Sequence, residues 1–216
     1  MASHYVFACS SCSEEYRPSP SLLECTFCGS PLDVKYMRNH LNVTDIGVPI
    51  PPLPVEISAD RFSLGEGNTP IINLTNIGDL LDINLITKNE AQNPTGSFKD
   101  RGTSVLISCL RSFGIKEIVE DSSGNAGSSI SAYSAAAGIK AHIFAPETAP
   151  QPKINQIIVY GAIHHPVSGS RDEVTEEAKK YASANNLIYA SHNLSPYFIE
   201  GTKSFGYELL SNSKYK

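Results

Sequence analysis

The sequence lacks three features that would indicate a membrane protein, a secreted protein or a nucleic-acid binder. It has no run of about 18 apolar residues, the length that a membrane-spanning helix requires, and its start has no basic segment followed by a long apolar one. Basic charge is not in excess either, because 17 Lys and Arg residues face 22 Asp and Glu residues, giving a formal net charge of -5. Nucleic-acid binders usually carry a basic surface. We therefore expect a cytoplasmic protein that binds neither membranes nor nucleic acid.

Cysteine is scarce, but four of the five cysteines form two C-x-x-C pairs, Cys9 with Cys12 and Cys25 with Cys28. Disulfides are rare in a reducing compartment, so this spacing predicts one zinc ion held by four thiolates. Such a zinc ion is structural, because four thiolates leave no coordination position open. We expect residues 5–37 to form a zinc ribbon. A pair of disulfides or a redox-active C-x-x-C is the alternative.

The rest of the chain divides into a linker and an α/β region. Residues 38–60 contain a proline-rich stretch and are predicted to form an extended linker. In residues 61–216, strand-like and helix-like segments alternate, which indicates a parallel sheet with helices on both faces. A small α/β domain is expected at about 114–190. Its strands are predicted at 116–120, 140–144, 162–167 and 187–190.

Helical periodicity supports this fold class. A helix is predicted over 98–113, with an apolar side that includes Cys109 as buried filler and ends at Phe113. Ser170 and Glu173 form a capping box that begins a later helix. A shorter apolar stripe of Ile154, Ile157 and Ile158 indicates another helix between two strands.

The segment Asn93-Pro94-Thr95-Gly96-Ser97-Phe98-Lys99-Asp100-Arg101-Gly102 is the first candidate site. Its turn residues precede a helix, so Lys99 is expected in the first helical turn, close to free backbone amides and the positive end of the helix dipole. Both effects oppose protonation of the amine. A neutral lysine can attack an aldehyde and form a Schiff base. A solvated lysine at a helix start is the alternative.

The segment Ser122-Ser123-Gly124-Asn125-Ala126-Gly127-Ser128-Ser129 is the second candidate site. It follows a predicted strand and opens a helix, at the carboxyl end of a parallel strand where α/β proteins bind ligands. Glycine allows close approach of a ligand, and the free amides of a helix N-terminus bind anions. A carboxylate or phosphate site is therefore predicted here. An ordinary N-capped helix is the alternative.

Together these segments resemble the threonine synthase-like group of fold-type II enzymes, which depend on pyridoxal phosphate. The resemblance extends over the whole chain and includes the four-cysteine ribbon, which some members carry. Three further segments share it: Leu64-Gly65-Glu66-Gly67-Asn68-Thr69-Pro70, Ser191-His192-Asn193 and Glu200-Gly201-Thr202-Lys203-Ser204-Phe205-Gly206-Tyr207-Glu208. It implies that 61–216 is the N-terminal portion of the catalytic region.

The resemblance also implies roles for the candidate residues. Lys99 would hold the cofactor as a Schiff base and then move protons at the substrate Cα. Asn125 would hydrogen-bond the phenolic oxygen of the cofactor ring. Ser122, Ser123 and Gly124 would receive the α-carboxylate of a small amino-acid substrate.

For a threonine synthase, the implied reaction converts O-phosphohomoserine and water to threonine and phosphate. Another β-replacement or β-elimination enzyme, such as a threonine or serine dehydratase, would need similar residues. A non-catalytic remnant of a zinc ribbon and an α/β domain is the alternative from a different class.

The family pattern continues with a glycine-rich loop for the cofactor phosphate and a hydroxyl near the pyridine nitrogen. After Gly161 this sequence has only three isolated glycines, Gly169, Gly201 and Gly206. We therefore expect a C-terminally truncated member with little activity alone. Its expected partner is a second copy, in a homodimer, or a complementing C-terminal half.

Overall fold

The computed structural model describes residues 4–37, 42–43, 49–50, 52–55 and 61–211. The N-terminal part is a three-stranded antiparallel ribbon, in which β1 (Tyr5–Cys9) lies between β2 (Glu15–Tyr16) and β3 (Leu32–Tyr36). Alternate side chains of β1 are buried, because successive residues of a strand point to opposite faces. Most of the predicted linker at 38–60 lies outside the described residues. Within it, β4 (Asn42–Val43) pairs antiparallel with β5 (Pro49–Ile50).

The α/β region begins with a small antiparallel pair, β6 (Ile71–Asn73) and β7 (Ile86–Lys88), joined through helix α1 (Thr75–Leu81). A single 3-10 turn at Glu90–Gln92 then leads to the long helix α2 (Lys99–Ser112). The remaining elements alternate regularly: β8 (Glu117–Glu120), α3 (Asn125–Ala137), β9 (Lys140–Pro146), α4 (Gln151–Val159), β10 (Ile163–Val167), α5 (Arg171–Ala184), β11 (Ile188–Tyr189) and α6 (Pro196–Ser211).

The four strands of this region form one parallel sheet in the order β10-β9-β8-β11. All four predicted strands are confirmed within a few residues at their ends. Successive residues of β8 pack on opposite faces of the sheet. Ile118 belongs to the hydrophobic cluster that contains Ile130 of α3, whereas Val119 packs with Val174 of α5. The predicted α/β class, with helices on both faces of a parallel sheet, is therefore confirmed.

The helix starts and ends follow the sequence closely. The capping box of Ser170 and Glu173 is present at the start of α5. Cys109 is buried in α2, and burial raises the pKa of its thiol. Two apolar positions were predicted wrongly: Ile158 is 51% exposed and Phe113 is 41% exposed. Ile158 follows the buried Ile157 and so turns about 100° away from it, while Phe113 lies just beyond the last residue of α2.

Helix α6 joins the ribbon to the α/β region. On one side, the ring of Tyr197 lies 5.1 Å from the ring of Phe7, and the Tyr36 hydroxyl donates to Glu200 at 2.6 Å. On the other side α6 packs against α2, so closely that a side chain at Gly201 would overlap the backbone carbonyl of Arg101. The ribbon, α6 and α2 thus form one continuous packed unit. Among the helices of the described ranges, none combines the length and the apolar character needed to cross a bilayer.

Candidate functional site

Lys99 is the first residue of α2, as the sequence predicts. The turn before it is held by Asp100, which is fully buried and accepts hydrogen bonds from the Thr95 amide at 2.7 Å and the Thr95 hydroxyl at 2.5 Å. Gly96 has φ of 81°, in the left-handed region that favours glycine. The Lys99 side chain is half-buried, and its Nζ lies 5.8 Å from the centre of the Phe198 ring.

The second candidate segment connects β8 to α3 at the carboxyl edge of the sheet. Ser122 is buried, Ser123 and Gly124 are half-buried, and Asn125, the first residue of α3, is exposed. Space remains open at Gly124, where a built Cβ would meet no heavy atom within 4 Å. The turn therefore presents the Asn125 amide group at an accessible helix N-terminus, and within the turn the Gly124 amide donates to Ser122 Oγ at 3.3 Å.

A buried hydrogen-bond cluster joins the N-terminal parts of α2 and α3. The Ser129 hydroxyl lies 2.6 Å from Asp100 Oδ1, to which it donates, and 2.8 Å from Thr103 Oγ1. Thr103 in turn donates to the carbonyl of Lys99 at 3.0 Å. These residues are buried, so the bonds are shielded from water. We name Asp100, Thr103 and Ser129 the helix clamp. The clamp holds the N-terminal part of α2, which begins with Lys99, against the N-terminal part of α3, which begins with Asn125.

A second polar cluster centres on Arg101, whose function the sequence alone did not indicate. Arg101 is only 1% exposed, yet its guanidinium makes paired hydrogen bonds to two carboxylates. Glu90 accepts at 2.6 and 2.9 Å, and Glu208 accepts at 2.6 and 2.8 Å. We name these three residues the arginine cluster. It ties the segment before Lys99 and the far end of α6 to the helix that carries Lys99.

Glu208 also receives two bonds from the early part of the chain. The Asn68 amide donates to it at 2.9 Å, and Lys88 Nζ lies 2.7 Å from its other oxygen. Burial alone would raise the pKa of Glu208, but the bonds from Arg101 and Lys88 outweigh it and lower that pKa to about 2. Arg101 and Glu208 both lie in segments noted for their resemblance. Only the fold shows that they are partners, because 106 residues separate them.

Arg171, at the start of α5, is bound within the protein. It donates to the backbone carbonyl of Asp121, and its guanidinium lies 3.0 Å from the Asp121 carboxylate. Asp121 is next to Ser122 along the chain. Arg171 therefore holds the residue that immediately precedes the second candidate segment.

The four cysteines of the ribbon come together as predicted. Their Sγ atoms all lie within 4.8 Å of one another, and Cys9–Cys28 and Cys12–Cys25 are each 3.5 Å apart. A disulfide needs about 2.05 Å between sulfurs, so these distances exclude the predicted alternative of two disulfides in this structure. Amides of Ser11 and Cys12 donate to Cys9 Sγ at 3.4 Å. Four converging thiols of this kind can hold one metal ion.

Comparisons with known proteins agree with this architecture. The family model described as "Pyridoxal-phosphate dependent enzyme" matches residues 62–215. A threonine synthase of Methanocaldococcus jannaschii is 33% identical over 214 residues, which cover 93% of this chain and 52% of the relative. A threonine synthase of Bacillus sp. (strain ULM1) is 37% identical over 158 residues, covering 73% of this chain and 45% of the relative. The chain thus spans about half the length of these relatives.

Solved structures show the same fold. A pyridoxal 5'-phosphate-dependent aspartate racemase superimposes with a TM-score of 0.67 at 27% identity, covering 76% of this chain and 54% of that one. Maize serine racemase gives a TM-score of 0.62 at 26% identity, covering 68% of this chain and 45% of that one. Taken with the family model, which matches well over half of the sequence, these likenesses show that the chain belongs to the pyridoxal-phosphate dependent enzymes.

Proposed function

We propose that this chain carries the lysine and substrate-carboxylate part of a pyridoxal-phosphate-dependent lyase of the threonine synthase type. One observation supports this most directly: the helix clamp joins α2 to α3, and Lys99 and the Ser122–Asn125 turn lie at the N-termini of these two helices. A nucleophilic amine and an anion-binding turn side by side are what an enzyme acting on an amino acid requires.

The residues present fit the cofactor. Lys99 offers an amine for its aldehyde, and the exposed Asn125 offers an amide to its ring oxygen. The open space at Gly124 leaves room for a ligand above the turn. When bound, pyridoxal phosphate supplies the electron sink that stabilises a carbanion at the substrate Cα.

Each candidate residue then has a chemical task. Lys99, once free, takes a proton from the substrate Cα and returns protons to neighbouring carbons. The amides of Ser123 and Gly124 and the hydroxyl of Ser122 hold the α-carboxylate, because a helix N-terminus favours an anion. The buried helix clamp, which holds α2 against α3, supports the proposal that the substrate Cα would be presented to the amine.

We propose O-phosphohomoserine as the substrate, converted with water to threonine and phosphate. Support comes from the two threonine synthases that are 33% and 37% identical to this chain. Release of inorganic phosphate from O-phosphohomoserine, compared with release of 2-oxo acid from threonine or serine, distinguishes this reaction from that of a dehydratase.

The test of cofactor binding is a lysine substitution. The purified chain mixed with pyridoxal phosphate is expected to develop the visible absorbance of a lysine-bound cofactor, and Lys99→Ala is expected to abolish it. The absorbance should be lost because Lys99, the first residue of α2, supplies the amine that is proposed to bind the cofactor aldehyde. Borohydride reduction followed by peptide mapping identifies the modified lysine.

Lys116→Ala is the matched control, since Lys116 is an exposed lysine just before β8. It should retain both the absorbance and the label on Lys99. Equal absorbance in Lys99→Ala, or a label on another lysine, would contradict the proposed function.

We also propose that the metal held by the ribbon is structural zinc. In a tetrahedron with Zn–S bonds of about 2.3 Å, neighbouring sulfurs are about 3.8 Å apart. The sulfur distances of 3.5 and 3.6 Å in this cluster fit that geometry. The Tyr16 hydroxyl lies 3.1 Å from Cys25 Sγ, and this hydrogen bond lowers the pKa of the thiol to about 6, which favours the thiolate that zinc requires.

Zinc content provides the corresponding prediction. The chain is expected to contain one zinc ion, and Cys25→Ser is expected to lose it and to melt at a lower temperature, because so small a ribbon depends on its metal. Elemental analysis and thermal unfolding measure both effects. Cys109→Ala, which removes the buried cysteine of α2, should keep the zinc. Zinc content unchanged in Cys25→Ser would refute the site.

A further inference from the structure

A buried pair of Glu120 and His192 lies at the carboxyl edge of the sheet, outside the two candidate segments. Glu120 is the last residue of β8 and is fully buried. Its Oε1 lies 2.5 Å from Nδ1 of His192, which follows β11, the neighbouring strand. The other oxygen, Oε2, is buried with no hydrogen-bond partner among the described residues.

This pair is adjacent to the candidate active site. The imidazole of His192 packs edge-on against the Phe198 ring, with 5.8 Å between ring centres. The same ring lies 5.8 Å from Lys99 Nζ. Glu120 itself is separated from Ser122 by one residue. His192 and Lys99 therefore contact one aromatic side chain, at the edge of the sheet where the substrate is proposed to bind.

Burying such a pair destabilises the folded chain, and a function would explain why it is present. Burying a carboxylate with one oxygen unsatisfied carries a desolvation penalty, which an apolar residue at the same position would avoid. A carboxylate that accepts from Nδ1–H fixes the tautomer of the ring and leaves Nε2 as the basic nitrogen. It also stabilises the imidazolium that forms when Nε2 takes a proton. Glu120 Oε1 and His192 Nδ1 lie at hydrogen-bond distance, which places the two side chains for this arrangement.

We propose that His192 is a second proton-transfer residue of this site, oriented by Glu120 and acting on the oxygen at the substrate carbon next to Cα. The inference rests on the function proposed above and deepens it. Lys99 would transfer the protons at carbon, whereas His192 would transfer the proton of the hydroxyl group or of water. Asp121, paired with Arg171, is the nearest other charge along the chain.

The step is balanced in both directions. As water adds to the unsaturated carbon next to Cα, its oxygen forms a bond to that carbon and the carbon–carbon π pair moves to Cα. One O–H bond breaks, and the proton passes to Nε2 to give imidazolium. In the reverse direction the N–H bond breaks and the proton joins the hydroxyl oxygen. The C–O electron pair leaves with that oxygen as water, and the electron pair at Cα forms the carbon–carbon double bond. Glu120 keeps the positive charge paired in either direction.

Histidine-ring ¹⁵N NMR of the full chain loaded with pyridoxal phosphate tests the proposal. The free chain should show His192 protonated at Nδ1 and bare at Nε2, and Glu120→Gln should lose this preference. Adding L-serine should shift the Nε2 signal, whereas L-alanine, which has no hydroxyl, should shift it much less. The signal of His4, in the ribbon, is the internal control and should not respond. In any preparation that turns over, His192→Gln should lose about 10²–10⁴-fold in kcat with little change in KM.

The outcomes separate the two proposals. If serine and alanine shift Nε2 equally, or neither does, while the lysine-bound absorbance is present, the role of His192 is wrong and the proposed function stands. If the absorbance never forms in the unmodified chain, the proposed function fails and this inference fails with it. A Nε2 shift that depends on serine and is absent in Lys99→Ala supports both.

Discussion

Arg101→Met should destabilise the chain by about 3–5 kcal/mol, the usual effect of removing one partner from a buried ion pair. Arg101 is 1% exposed and lies between Glu90 and Glu208. Without the guanidinium, two carboxylates would remain close together and partly buried, with only Lys88 to pair with Glu208. Urea unfolding followed by circular dichroism measures the loss directly.

Arg17→Met is the matched control, because Arg17 is an exposed arginine of the ribbon. Its free energy of unfolding should stay within about 0.5 kcal/mol of the unmodified chain, as is usual for surface substitutions. A loss of less than about 1 kcal/mol in Arg101→Met, the range of an exposed ion pair, would show that the arginine cluster is not a stabilising core.

The same cluster predicts how stability depends on pH. The pKa of Glu208 is lowered from 4.5 to about 2 in the folded chain. A lowered carboxyl pKa contributes stability that is fully present above the unfolded value and is lost as pH falls through the folded value. The free energy of unfolding should therefore fall between about pH 4.5 and pH 2. In Arg101→Met this fall should be shallower, since the partner that lowers the pKa is gone.

Gly127→Ala is expected to have the second large effect, a loss of about 3 kcal/mol or more, at the upper end of the range for overpacking. A Cβ at this position would overlap the backbone carbonyl of Ser122 and approach Ile157 to 3.2 Å. Because a backbone oxygen cannot rotate away as a side chain can, α3 would have to move from the turn that precedes it. Thermal unfolding and the visible absorbance of bound cofactor should both decrease.

Gly124→Ala provides the comparison within the same turn. Its backbone φ is -112°, an ordinary value, and a built Cβ meets nothing within 4 Å. Its stability should therefore be close to that of the unmodified chain, although the added methyl group would occupy space proposed for the ligand. Equal stability of the Gly127→Ala and Gly124→Ala variants would contradict the packing argument.

Local pattern was sufficient to predict the elements that carry the candidate site. Lys99 begins α2 and Asn125 begins α3, as expected from the turn residues that precede each helix. The strands of the parallel sheet were predictable because their spacing leaves room for one helix between neighbours. Ile158 shows the limit of this reasoning. It was assigned to the apolar stripe of α4 but is exposed, because the pattern of so short a helix does not decide which apolar residues face the core.

The sequence by itself therefore determined which residues are candidates for chemistry, since residue type and neighbouring turn residues indicate the proposed nucleophile, the helix N-terminus and the four thiols. Only the tertiary structure decided which of them are partners. Ser129 meets Asp100, Glu208 meets Arg101 and His192 meets Glu120 across 29, 107 and 72 positions of the chain. Contacts of this range depend on the packing of whole helices and strands, which periodicity along one segment does not encode.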